Sequence, residues 1–352
     1  VNPLQNDSAV PSSSPLIRKQ DFRIQLFIEN SASMQGYVDG VGFRSDLADL
    51  SSNLSSSIGT ENLSVYFIGT GQHGTSKILK PVSVDFGIFF QNLGIHSFDK
   101  QTSAFGQLLN EITASQNDST VSIFVTDNII SIKDEDGKSD PVGGLDFQKN
   151  EIQSAVRSAV KAEPTFSYFV AKLKAGFVGT YYDKNDNKTR LDGEQRPYTI
   201  SVLGRRELVN EALQMSHLLN PLDFELDDYH MFSTVSKANQ GMSFDLIHSD
   251  WCNYLPRCKH GSNALEFNEL TRGTKLRLSV GLKIDDKRLS EAYLSNRANY
   301  AIKNQKYIIT GIEKITDSSY SYRIDLESAF SGHPKLSIDL LRHMPDFVER
   351  TN

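Results

Sequence analysis

The fold is decided by the stretch Arg23-Ile24-Gln25-Leu26-Phe27-Ile28-Glu29-Asn30-Ser31-Ala32-Ser33-Met34-Gln35-Gly36-Tyr37. It begins with a mostly apolar run of strand length, which leads directly into a carboxylate, Glu29, and then two hydroxyls at alternate positions, Ser31 and Ser33. Carboxylate and hydroxyl oxygens are the ligands that hard divalent cations prefer. Because α/β sheets bind their ligands beyond the carboxyl ends of their strands, we expect these three side chains to lie at a binding edge.

Composition limits the class of protein. At 352 residues the chain is long enough for two domains that each bury a core. The formal net charge of -6 comes from interspersed acidic and basic residues, without the basic stripe that follows a phosphate backbone. No apolar run approaches the roughly 20 residues needed to cross a bilayer. We therefore predict no nucleic-acid partner and no transmembrane segment.

Residues 1–20 predict a flexible N-terminal tether. They are rich in Ser, Pro and Asn and cannot bury enough apolar surface to order themselves. The sequence starts at Val1, which suits a mature exported or lipid-anchored protein whose leader has been removed. We therefore favour the cell envelope or an exported location over the cytoplasm, with membrane tethering through the processed N-terminus as one option. A trimmed sequence is the alternative explanation.

The chain contains two cysteines, Cys252 and Cys258, and three states are open to them. In an oxidising compartment they would close a short loop as a disulfide, and in a reducing one they would be free thiols. His248 and His260 flank them, so a zinc site is the third alternative, although the intervals match no common zinc pattern.

Two patterns of hydrophobic periodicity divide the chain. From residue 22 to about residue 204, apolar strands alternate with helix-like stretches, which predicts a mainly parallel sheet flanked by helices. Residues 172–197 interrupt this pattern and predict a hairpin or loop insertion at the domain edge. From residue 275 on, four period-two segments predict a β-sandwich. We therefore predict an α/β domain at 21–220 and a β-rich C-terminal domain at 221–352.

Oxygen ligands recur at two further element ends. Thr102 or Ser103 precedes a helix predicted at 104–114, and Asp127 follows a buried strand predicted at 121–126. With the loop after the first strand, they would offer Mg²⁺ the oxygen ligands it needs, with room for water and for a partner's carboxylate. Helix capping and loop hydrogen bonds are the alternative roles of these residues.

In order and spacing, the three segments resemble the von Willebrand factor type A (vWA) domain, a Rossmann-like α/β fold with a metal-ion-dependent adhesion site. By this resemblance Ser31 and Ser33 match the two serines of the family's Asp-x-Ser-x-Ser loop, while Thr102 matches its threonine and Asp127 its final aspartate. The resemblance covers roughly residues 23–204.

The match departs from the family pattern at two positions. Glu29 stands where the family has Asp, and one extra methylene displaces a carboxylate by about 1.5 Å, which the strict geometry of Mg²⁺ tolerates poorly. Asn128 stands where the family often has Gly. The Glu29 departure favours the alternative of a vestigial site.

The resemblance implies a non-enzymatic protein-binding module, with protein partners within a larger complex. In it, a partner's acidic residue would complete the coordination of a Mg²⁺ held by Glu29, Ser31, Ser33, Thr102 and Asp127. The first alternative is a structural subunit of a cell-envelope or secretion assembly with a vestigial metal site. The second is a metal-assisted hydrolase with a carboxylate as general base. The sequence contains no Gly-rich phosphate loop, no Gly-x-Ser-x-Gly elbow and no histidines at ligand spacing, which disfavours the hydrolase.

Overall fold

The computed structural model describes residues 22–70, 76–78, 85–94, 104–129, 143–182, 187–233, 242–247, 249–252, 257–258, 265–266, 275–284, 289–303, 306–316, 319–328 and 336–341. In this part of the chain, no helix combines the length and the apolar character needed to cross a membrane.

The N-terminal part of the described chain alternates strands and helices. Its strands are β1 (Arg23–Glu29), β2 (Leu63–Thr70), β3 (Ser76–Ile78), β4 (Thr120–Thr126), β5 (Phe166–Tyr182), β6 (Lys188–Arg205) and β7 (Leu226–Ser233). Its helices are α1 (Gln35–Asp39), α2 (Phe43–Ile58), α3 (Phe86–Gln91), α4 (Phe105–Ala114), α5 (Gly143–Ala162) and α6 (Arg206–Met215).

These seven strands form one sheet in the order β3-β2-β1-β4-β6-β5-β7. Strand β1 runs parallel to both of its neighbours, and its register places Ile28 opposite Phe67 on β2 and Val125 on β4. The other four pairings are antiparallel. The prediction of a mainly parallel sheet is therefore correct for β2-β1-β4 and wrong for the rest.

The β5–β6 hairpin explains this difference. The connection from Tyr182 to Lys188 is short, and short connections force antiparallel pairing, whereas parallel pairing needs a crossover of a dozen or more residues. The predicted insertion at 172–197 is indeed a hairpin. Its strands also continue into the sheet, where β6 lies between β4 and β5.

Both faces of the sheet are covered by helices. On one face, Leu47, Leu50 and Leu54 of α2, which recur at helical spacing, are fully buried in the larger core. On the other face, Leu108 and Ile112 of α4 pack in a second core. Every residue of β4 is buried, as expected of a central strand covered on both faces.

The C-terminal part of the described chain is rich in β-structure. It contains β8 (Met242–Ile247), β9 (Arg257–Cys258), β10 (Leu265–Glu266), β11 (Leu276–Ile284), α7 (Glu291–Ser295), β12 (Tyr300–Ile302), β13 (Ile308–Lys314), β14 (Tyr322–Ser328) and β15 (Ile338–Leu340). Four of these strands form an antiparallel sheet in the order β13-β14-β11-β8, and β12 and β15 form a ribbon that packs into the same core.

The predicted division of the chain at residue 220 stays a prediction. Strand β7 lies beyond that residue and is the last strand of the first sheet. The state of the two cysteines also stays open. Cys252 Sγ lies 3.7 Å from Ser279 Oγ on β11, and the side chain of Cys258 is outside the described residues.

Candidate functional site

Strands β1 and β4 bring two carboxylates to the same edge of the sheet. The strands are parallel neighbours, so the residues that follow them emerge side by side. Glu29 is the last residue of β1, and Asp127 directly follows the end of β4. Both are buried, with Glu29 1% exposed and Asp127 6% exposed. The structure therefore brings together two of the five residues that the sequence predicts as metal ligands.

The loop after β1 adds two hydroxyls to this edge. The Asn30 amide donates to the carbonyl of Ile68 on β2 at 2.7 Å, and the Met34 amide donates to the Ser31 carbonyl at 3.2 Å as the chain turns into α1. Ser31 and Ser33 are both buried, and their Oγ atoms lie 3.0 Å apart. The two serines thus form a hydroxyl pair that is shielded from solvent.

The Asp127 carboxylate is only partly satisfied by the chain. Its Oδ1 accepts a hydrogen bond from the Ile129 amide at 3.0 Å. Its Oδ2 is buried and accepts no hydrogen bond from the described residues. The Ser33 hydroxyl lies beside the carboxylate, near enough to lower its pKa but outside hydrogen-bonding geometry. A buried carboxylate oxygen without a partner costs free energy, and a cation bound beside Oδ2 would offset that cost.

The site concentrates negative charge. Burial, and then the Glu29 carboxylate, raise the pKa of Asp127 to about 8, while the Ser33 hydroxyl and the Ile129 amide act in the opposite direction. Two carboxylates that share a buried site cannot both ionise without a large electrostatic cost. Near neutral pH the site therefore either keeps a proton or binds a cation.

Thr126 holds the Glu29 carboxylate in place. Its hydroxyl, at the end of the neighbouring strand, donates to Oε2 of Glu29. Thr126 Oγ1 also accepts from the Asn128 amide at 2.9 Å. Asn128 has φ +56°, in the left-handed region that favours Gly and that Asn also adopts.

Thr102, the remaining predicted ligand, lies outside the described residues, so its place relative to the other four stays a prediction. The sequence pattern did not mark Thr126 as a ligand of the site. The signal available was its position, as a hydroxyl residue at the end of a buried strand, immediately before Asp127.

The donors at this edge suit a hard divalent cation in kind. All are oxygens, from two carboxylates and two hydroxyls, and Mg²⁺ binds such ligands while keeping several waters. Within the described ranges, no three His, Cys, Asp or Glu side chains cluster as metal ligands. A cation here would therefore depend on the serine hydroxyls and on water as well as on Asp127, whose unpartnered Oδ2 fits that role.

Tyr37 of α1 connects the site to the β5–β6 hairpin. Its side chain is 1% exposed, and its hydroxyl donates to the carbonyl of Pro197 on β6 at 2.5 Å. Burial raises its pKa, Asp127 raises it further, and Arg196 lowers it. The hydroxyl therefore lies within electrostatic reach of both the site carboxylates and the hairpin arginine. Sequence periodicity carried no signal for this contact.

Comparisons with known proteins give weak similarities. No protein-family model and no curated protein matches the chain. One similar solved structure is an aerotolerance-related membrane protein from Bacteroides fragilis, with 14% identity and a TM-score of 0.24 over 56% of this chain and 88% of that one. Another is a pilus adhesin from Lactobacillus rhamnosus in an open conformation, with 9% identity and a TM-score of 0.24 over 90% of this chain and 52% of the adhesin. At such TM-scores neither protein establishes a fold or a function for this chain.

Proposed function

We propose that this chain is a non-enzymatic protein-binding module of the vWA type, whose edge site holds Mg²⁺ and engages an acidic residue of a partner. The observation that carries the proposal is the buried Asp127 carboxylate, which has an unpartnered oxygen beside a second carboxylate and a pair of serine hydroxyls. In this proposal Ser31, Ser33 and Asp127 supply ligands, Glu29 adds negative charge, and Thr102 is a further ligand.

A bound Mg²⁺ would relieve the repulsion between the two carboxylates and leave coordination positions open to a partner's carboxylate. The chain's own contribution is to hold the oxygens in place. The register of β1 and β4 sets the separation of Glu29 and Asp127, and the turn into α1 sets the direction of the serine hydroxyls.

Isothermal titration calorimetry of the metal-free protein with Mn²⁺ tests the proposal. We expect one saturable site in the wild type and its loss in Asp127→Asn. Asp39→Asn is the matched control, because it removes an exposed carboxylate from the neighbouring helix α1. Its affinity should equal that of the wild type. No saturable binding in the wild type, or equal binding by Asp127→Asn, would refute the proposal.

A structural subunit with a vestigial site is the second candidate. The observation that favours it is Glu29, which replaces the family's Asp and whose carboxylate is held by the Thr126 hydroxyl. Association with a partner captured from the source cells distinguishes the two. A cation-dependent module should release the partner on chelation, whereas a structural subunit should keep it.

For either function we propose a cell-envelope or exported location, with residues 1–20 as a tether. Fractionation of the source cells tests this, because a protein recovered entirely in the cytosolic fraction would contradict it.

A further inference from the structure

The outer half of the β5–β6 hairpin lies directly against α1, the helix that follows the serine loop. A Cβ added to Gly36 would lie 2.2 Å from the Phe177 ring, and one added to Gly40 would lie 1.7 Å from the Gly176 carbonyl oxygen. The Gly176 amide also donates to the Val41 carbonyl at 2.8 Å. The backbone of α1 and of the residues just after it thus contacts the Phe177 ring and the hairpin backbone with no side chain between them. This close packing holds the hairpin in a fixed position beside the site.

Arg196 lies on this hairpin, and the described residues of the hairpin supply no hydrogen-bond acceptor to its guanidinium Nε. Its guanidinium stacks over the Tyr181 ring, 3.9 Å from the ring centroid. Its Nε is buried and has no hydrogen-bond partner among the described residues, and no ion pair joins it to a carboxylate in that part of the chain. A half-buried guanidinium loses hydration, and its planar fork matches a carboxylate. Tyr181 therefore sets the orientation of the guanidinium, whose donors are not committed to any described residue.

Tyr37 separates this guanidinium from the candidate cation site. Its hydroxyl is committed to Pro197 on the hairpin, and both Asp127 and Arg196 act on it electrostatically. Through Tyr37 the carboxylate edge is connected to the hairpin residue that follows Arg196 in the chain, and no ion pair joins Arg196 to a carboxylate among the described residues. A cation bound at the edge and the Arg196 guanidinium would thus give the molecule two attachment points for acidic groups, connected through Tyr37.

We propose that Arg196 is a second anchor for an acidic partner. A partner segment with two carboxylates would bind one at the cation and the other at the Arg196 guanidinium. This inference rests on the proposed function and deepens it, because it names the partner as a segment with paired acidic residues and assigns the hairpin a role in specificity.

The test uses the Mn²⁺-loaded full chain and two peptide probes, acetyl-Asp-Gly-Asp-amide and acetyl-Asp-Gly-Asn-amide, which differ by one carboxylate. We expect the wild type to bind the first probe about tenfold more tightly, a factor typical of one charge-assisted hydrogen-bonded contact. Arg196→Gln should abolish this preference without changing Mn²⁺ affinity. Arg190→Gln, an exposed arginine on the same strand, is the control and should keep the preference.

The outcomes separate this inference from the function on which it rests. If Mn²⁺ binds but the wild type does not prefer the two-carboxylate probe, or if Arg196→Gln keeps the preference, the role of Arg196 is overturned and the cation site stands. If Mn²⁺ does not bind, both are overturned. Should Arg196→Gln fail to fold, Arg196→Lys keeps the charge and loses the planar fork, and it should show a reduced preference.

Discussion

Asp127→Asn removes one of two buried carboxylates, and we expect it to stabilise the protein when a chelator excludes cations. Burial and the Glu29 carboxylate raise the pKa of Asp127 from 3.8 to about 8. Each pKa unit corresponds to about 1.4 kcal/mol. At pH 7 the folded wild type must keep Asp127 protonated although the pH lies far above the ordinary pKa of this group. This lowers its free energy of unfolding by on the order of 4 kcal/mol. This is an upper figure for the gain, because Asn still buries a polar group without a partner.

The sign of the pH dependence follows from the raised pKa. Between about pH 4 and pH 8 the folded wild type holds more protons at this group than the unfolded chain does. Its free energy of unfolding should therefore fall, relative to that of Asp127→Asn, as the pH rises through this window, and the difference should level off above it. Urea unfolding followed by circular dichroism at pH 5, 6.5 and 8, in a chelating buffer, measures this difference, with Asp39→Asn as control.

A saturating divalent cation should reverse the order of stability. At a hundred times its Kd, a ligand stabilises the folded state by about 2.7 kcal/mol, and only the wild type should show this gain. A chelated variant less stable than the wild type at pH 8, or a stability difference that did not change with pH, would refute the assignment of a raised pKa to Asp127.

Three further predictions test neighbouring parts of the structure. Glu29→Asp introduces the aspartate of the vWA pattern that the sequence resembles, and it should tighten Mn²⁺ binding about tenfold by calorimetry, the factor that corresponds to 1.4 kcal/mol. An unchanged affinity would favour a vestigial site. Gly36→Ala places a methyl group against the Phe177 ring and should lower the free energy of unfolding by about 1–3 kcal/mol, measured in urea, although Ala is the better helix former. Adding Phe177→Leu to this variant should restore part of the loss. Full stability of Gly36→Ala would contradict the packing. Burial lowers the pKa of His230 to about 4, so the folded protein keeps this side chain neutral where the unfolded chain would protonate it. The free energy of unfolding is therefore unaffected by this group above pH 6.5 and should fall by about 3 kcal/mol at most as the pH drops toward 4. His230→Phe should lose less stability in acid, and identical acid profiles of the two proteins would disprove this.

The sequence predicts the central part of the fold because that part follows local patterns. The apolar runs of β1 and β4 and the leucines of α2 lie where their periodicity placed them. Strand direction is different, because an apolar run does not encode it. The antiparallel insertion of β6 depends on the short hairpin connection and on long-range pairing, such as Val125 opposite Ile200.

The residues of the candidate site also divide into those that local sequence patterns predict and those that depend on long-range packing. Glu29, Ser31, Ser33 and Asp127 were identified from their positions after apolar runs, and the structure places them at one edge of the sheet. Tyr37 and Arg196 could not be identified in this way, because Tyr37 reaches Pro197, the residue after Arg196, only when the hairpin packs against α1. A chain separation of about 160 residues carries no local signal.

Anomalous diffraction from crystals grown with Mn²⁺ tests the central claim most directly, because it locates the cation as well as detecting it. We predict an anomalous peak within coordination distance of Asp127 Oδ2 and the hydroxyls of Ser31 and Ser33, and the same map would show whether Thr102 is a ligand. Crystals with Mn²⁺ in excess and no peak at this edge of the sheet would contradict it.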